Sequence, residues 1–178
     1  MSNQSIQKIR SEFKDYAKDI KLNLGNVLSE EGSPELTKNQ ILAIGLACAY
    51  ATKNKLLINA LITDSQEILS EQEINAAKAA ATIMAMNNIY YRFVHMASDK
   101  GFMKLPANLR MNIIGKPGVD KIDFELYSLA VSAINGCGMC IDAHVHQLTK
   151  AGLSKIAIQS SIRIAAVIHA TEQELVAN

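Results

Sequence analysis

A chain of 178 residues is long enough to bury roughly 70% of its unfolded surface in one folding unit, so it needs no disulfide or metal staple. Its 18 Lys and Arg stand against 17 Asp and Glu, which leaves no excess positive charge to draw nucleic acid or anionic lipid, and neither is expected as a partner. The polar stretch Met1 to Tyr16 has no apolar core of secretory length and no later run, Ile41 to Ala51 included, reaches a membrane span; a cytoplasmic protein is expected, in a reducing compartment where three cysteines serve redox chemistry or a metal.

Apolar residues recur at three- and four-residue spacing almost throughout, which predicts an all-α fold. Ser33 and Pro34 read as a cap and first-turn proline ahead of a helix ending near Ala51, and Ser70 with Glu73 as the capping box of a long helix reaching about His95. Met111 to Ile114 is the one stretch that reads as a short strand. Gly115-Lys116-Pro117-Gly118 cannot continue a helix, because proline lacks the amide donor and glycine favours turns. It divides a single domain, 1–178, into halves of about 1–115 and 119–178.

Asp120 then caps a helix from about Lys121 to Asn135. A new helix opens at Gly136 and runs to about Ala151, where Gly152 ends it in the left-handed conformation. Ser154 starts the next, and Thr171 with Glu174 repeats the capping box near the C-terminus. A shift of 83 positions lays Ile41, Ile44, Leu46 and Cys48 over Phe124, Tyr127, Leu129 and Val131. It also puts Asn54, Leu57 and Leu61 where the second half has Cys137, Cys140 and His144. We therefore expect a faint internal repeat of helical halves whose first copy lacks the chemistry.

That chemistry lies in Cys137-Gly138-Met139-Cys140-Ile141-Asp142-Ala143-His144, preceded by Glu125. At about 100° per residue, helical spacings of three and four put Cys137, Cys140 and His144 on one face. The three-residue spacing suits an internal disulfide, whose α-carbons lie about 4.4–6.8 Å apart. The reactive form of cysteine is the thiolate, and unpaired amides in the first turn of a helix stabilise it. Both cysteines are expected in that turn. His144 is positioned to accept the Cys140 proton, directly or through a water, and Glu125 on the preceding helix to orient the imidazole and stabilise its protonated form.

Each of these residues has a plainer reading. The cysteine pair is also half of a zinc site, with His144 as third ligand and Cys48, His146 or water as fourth, but no second CxxC or CxxH completes a tetrahedron. His146, two residues from His144, reads as a surface histidine, and His95 and His169 as packing at helix ends. Cys48 reads as a small buried residue, and Met84, Met86, Met96, Met103 and Met111 as adaptable core or subunit contact. Glu125 alone is a solvated helix charge; its setting in Phe124-Glu125-Leu126-Tyr127-Ser128-Leu129-Ala130-Val131 raises it above that.

The spacing Glu125, Cys137, Cys140 and His144 resembles the Glu-x11-Cys-x-x-Cys-x3-His pattern of the AhpD-like alkyl hydroperoxide reductase family, within the carboxymuconolactone decarboxylase-like fold. Tyr16 to Leu24, Met84 to Asn88, Leu109 to Ile114 and Ala130 to Cys137 match as well, so the likeness covers nearly the whole chain. The resemblance implies an all-helical, commonly trimeric protein acting as a lipoyl-dependent peroxidase, with no bound metal or flavin. It implies Cys140 as the thiol oxidised to sulfenic acid, Cys137 as proton donor and resolving thiol paired with it in a disulfide, and Glu125 with His144 as the proton relay. It further implies dihydrolipoyl groups on an acyltransferase subunit as electron donor, recharged by a dihydrolipoamide dehydrogenase, and a peroxiredoxin partner reached through a mixed disulfide. One departure stands out: Met139 occupies the position before the second cysteine where the family often has histidine. A relay step through that histidine does not carry over, and a less acidified Cys140 is implied.

Two further functions compete with the peroxidase. One is an adaptor whose dithiol only carries electrons between partners. The other is a cofactor-free lactone decarboxylase, which does not call for two cysteines on one helix face.

Overall fold

The computed structural model describes residues 4–177. Met1 to Asn3 of the polar N-terminal stretch, and Asn178, lie outside the described residues. Among the described residues there are nine α-helices and no strand: α1 (Gln4–Glu12), α2 (Lys18–Val27), α3 (Lys38–Thr52), α4 (Lys55–Ser65), α5 (Glu71–Met96), α6 (Asn112–Gly115), α7 (Lys121–Ile134), α8 (Gly138–Lys150) and α9 (Lys155–Ala177). The all-α expectation holds. None of these helices is long and apolar enough to cross a membrane.

At the centre lies α3, whose residues Ile41 to Ala49 are all shielded from solvent. A helix apolar on every side must be surrounded, and α5, α7 and α9 pack against it. Each large aliphatic side chain buried in this way contributes about 1.5–3 kcal/mol relative to exposure. The outer α1 is tied to α4 by the Asp64 carboxylate, which accepts from the Ser5 and Ile6 amides at 3.1 and 3.0 Å. An anion there meets the unpaired donors and positive end of the α1 dipole.

Three expected boundaries are corrected. The helix α3 starts four residues after Pro34, at a capping box of Thr37 and Gln40, while Ser33 is buried and donates to the Val27 carbonyl at 2.7 Å. Its hydroxyl closes the α2–α3 connection and so is not available as a cap. Met111 to Ile114 is not a strand but leads into the single turn α6, having no neighbouring strand with which to pair its backbone. Thr171 and Glu174 start no helix; both are buried along α9, which continues through them. With Ser154 bonding the Ala157 amide at the start of α9, the chain has already entered a helix with no breaker to stop it. The Ser70–Glu73 box, the Asp120 cap and the left-handed Gly152 are where the sequence places them.

The starts of α3 and α7, and of α4 and α8, are both 83 residues apart, and those of α5 and α9 are 84 apart. The offset read from the apolar pattern is thus also the offset between successive helices. Gln40 and Asp123, equivalent positions in that frame, meet across the α3–α7 seam at 2.7 Å.

Candidate functional site

The cysteine pair sits where α7 turns into α8. Gly136 has φ +67°, the left-handed conformation that glycine adopts without a β-carbon penalty. Around it the Gly136 amide bonds the Ala133 carbonyl and the Cys137 amide bonds that of Ser132, both at 3.1 Å. This is the Schellman closure of α7. Cys137 thereby ends one helix with its amide and caps the next with its sulfur, for its Sγ accepts the Cys140 amide at 3.3 Å. Cys137 therefore stands at the N-cap, one step outside the first turn expected for it, and Cys140 lies within that turn. The α-carbons are 5.3 Å apart and the two sulfurs are joined as a disulfide.

The tight turn makes α7 and α8 neighbours, and this brings Glu125 to His144. The His144 Nδ1 lies 2.6 Å from Glu125 Oε2, with both side chains about nine-tenths buried. A carboxylate at Nδ1 favours the tautomer carrying its proton there, which leaves Nε2 as an acceptor. The sequence puts all four residues in one chemical unit, and the turn brings them together.

Cys140 and His144 both line a cavity of about 270 Å³ between α5, α6 and α8. Its wall is otherwise mainly apolar, built from Met84, Met111, Ile114, Met139 and Ala143, with Tyr91 and Asn87 beside them. Cys137 is fully buried behind the turn and Cys140 is 6% exposed, so Cys140 is the sulfur that meets the cavity. Met84 and Met111, read from sequence as core or subunit contact, are in fact cavity wall. Asn87 and Tyr91 carried no recognised signal; their spacing from Met84, at three and seven residues along α5, is the pattern that places all three on one face.

Among the described residues no group of three or more His, Cys, Asp or Glu is arranged to hold a metal ion. Cys48, weighed above as a zinc ligand, is buried inside α3, where desolvation pushes its thiol pKa up. His146 is exposed as expected; His95 lies in the last turn of α5, whereas His169 is an exposed mid-helix residue of α9. Position 169 is not a helix end because α9 continues to Ala177.

Residues 100–178 match the model of the carboxymuconolactone decarboxylase family. Over 168 residues the chain is 59% identical to the alkyl hydroperoxide reductase AhpD of Coxiella burnetii, covering 94% of this chain and 95% of that one. It is 52% identical to the AhpD of Brucella abortus, over 92% of each. Against the AhpD of Azorhizobium caulinodans the identity is 51%, over 92% of this chain and 89% of the other.

Proposed function

Because this chain belongs to the alkyl hydroperoxide reductase AhpD family, we propose that it is an antioxidant thiol peroxidase and disulfide reductase that uses Cys137 and Cys140 to reduce alkyl hydroperoxides to alcohols. The observation that carries this reading is the convergence of Cys140 and His144 on one mainly apolar cavity, with Glu125 behind the imidazole. An apolar wall suits the organic part of a hydroperoxide, and the buried carboxylate holds the imidazole where it can move a proton.

In the dithiol state His144 takes the Cys140 proton at Nε2. The Cys140 thiolate attacks the outer oxygen of R–O–O–H, forming an S–O bond as the O–O bond breaks, and two electrons leave sulfur. The departing alkoxide takes up the proton held on His144, giving the alcohol and a Cys140 sulfenic acid. The Cys137 thiol then attacks that sulfur and gives its proton to the leaving hydroxide; the disulfide forms and water departs. A dihydrolipoyl thiolate reopens the disulfide at the more accessible Cys140, and its second thiol closes the lipoyl ring and releases both protein thiols.

The donor in this scheme is a lipoylated acyltransferase subunit, recharged by dihydrolipoamide dehydrogenase, and the same dithiol serves a peroxiredoxin through a mixed disulfide. Such a cycle belongs in a reducing compartment, so we assign it to the cytoplasm. We also assign a homotrimer, supported by the exposed row Ile89, Phe93 and Met96 on α5 and by Phe102, whose ring centre lies 5.1 Å from that of Phe93.

The test is consumption of cumene hydroperoxide by the purified protein with dihydrolipoamide as reductant. Turnover is expected from the wild type and not from Cys140→Ser. Full activity in that variant removes Cys140 from the mechanism. A wild type that hardly turns over alone yet speeds a peroxiredoxin is instead the electron-carrying adaptor.

A further inference from the structure

The wall of the cavity beside Cys140 carries a polar side chain to which the mechanism above gives no task. Asn87, on α5, is 5% exposed, and its amide oxygen has no hydrogen-bond partner. The other polar groups of the cavity are engaged: His144 Nδ1 is bound to Glu125, and the Tyr91 hydroxyl lies 3.9 Å from the Met111 sulfur. A buried carboxamide lacking a partner destabilises the folded state, and one that lines a cavity is explained by a ligand that supplies the missing bond.

Chemistry narrows that ligand. The apolar walls require an organic body, and the carboxamide offers both an acceptor and a two-hydrogen donor. A hydroperoxide matches both, since its O–H donates and its oxygens accept. A dithiol or dithiolane is a poor match, because sulfur is weak in either role. We propose that Asn87 binds and orients the O–O–H group of the hydroperoxide, its oxygen accepting the hydroperoxide hydrogen and its NH2 donating to the oxygen that leaves as alkoxide.

This rests on the peroxidase reading and adds to it a specificity residue. Asn87 transfers no proton and no electron. The S–O bond still forms at Cys140 as O–O breaks, and the alkoxide proton still comes from His144. What the amide adds is alignment of the outer oxygen with sulfur and a donor where negative charge develops; removing one such donor typically costs on the order of 10²-fold in rate.

The experiment separates the two halves of the cycle. Asn87→Leu keeps the volume and removes both hydrogen-bonding functions. Stopped-flow oxidation of the reduced variant by cumene hydroperoxide should slow about 10²-fold relative to wild type. Reduction of its disulfide by dihydrolipoamide, and alkylation of its thiols by iodoacetamide, should each stay within about twofold. The melting temperature should be unchanged or higher, because an unpaired buried amide has gone. Oxidation at the wild-type rate overturns the proposal, and so does an equal loss in both half-reactions with a lowered melting temperature, which marks a structural role. If Asn87→Leu does not fold, Asn87→Ala is judged by the same ratio of half-reactions. Activity in Cys140→Ser would defeat the peroxidase reading itself, whereas a dead Cys140→Ser beside an unimpaired Asn87→Leu defeats only this one.

Discussion

Cys137 has two tasks unrelated to electron transfer, since its amide closes α7 and its sulfur caps α8. The equivalent of this position in the first half is Asn54, whose side chain accepts from the Leu56 and Leu57 amides at the start of α4. The residue before each is left-handed as well, Lys53 at φ +65° and Gly136 at +67°. The redox sulfur thus stands in the place of an ordinary capping oxygen. Serine is among the best N-caps and alanine among the worst, and the exchange costs about 1 kcal/mol. Under reducing conditions Cys137→Ser should therefore be more stable than Cys137→Ala by about that much. Urea unfolding decides it, and equal midpoints for the two variants would show that the position does no capping.

Among the elements, α5 does most to place the site, since it contributes one wall of the cavity and is locked to both halves. At its start Glu73 accepts from the Ser70 amide and hydroxyl at 2.7 and 2.8 Å, and from Asn39 of α3 at 2.8 Å. Near its end Asn88 donates to Ser132 and accepts from Asn135, both at 2.9 Å, and Arg92 holds the Asn135 carbonyl at 2.7 Å. The turn bearing Cys137 is therefore anchored to α5 by side chains two residues before it. At Glu73 burial raises the carboxyl pKa, but the bonds from Asn39 and Ser70 outweigh it, and the net result lies below the ordinary 4.5. A depressed folded-state pKa stabilises the protein above the unfolded value and is lost as pH falls through the folded one. Glu73→Gln should accordingly unfold at lower urea than wild type at pH 7, with the gap closing below about pH 4. A gap independent of pH would mean that the charge of Glu73 contributes nothing.

On the scale of the whole molecule, the core covers α3 completely while leaving large apolar side chains outside. Phe93 is 53% exposed and Met96 72%. Together with Ile89 and Phe102 they form an apolar surface that a second copy would cover, and such patches on water-facing helices mark contact sites. Phe93→Glu should abolish the proposed trimer by placing a charge in its interface. Sedimentation velocity checks this: a single monomer boundary for the variant beside a trimer for the wild type is expected, and an unchanged sedimentation coefficient would exclude Phe93 from the contact. Circular dichroism of the variant should match the wild type, because the side chain contributes nothing to the core.

The sequence by itself determined the helical class, the long caps and the identity of the reacting residues. Those properties are local: apolar spacing, a capping box such as Ser70 to Glu73, and cysteines three residues apart are written in neighbouring positions. Ser33 and Thr171 misled because capping residues carry the same signal whether or not a helix end is available, and burial decided against both. Only the tertiary structure could bring Glu125 to His144, make cavity wall of Met84 and Met111, or leave the Asn87 amide without a partner beside Cys140. Those facts depend on how α5, α7 and α8 pack, and the space between three helices is a property of their arrangement that no single stretch of chain encodes.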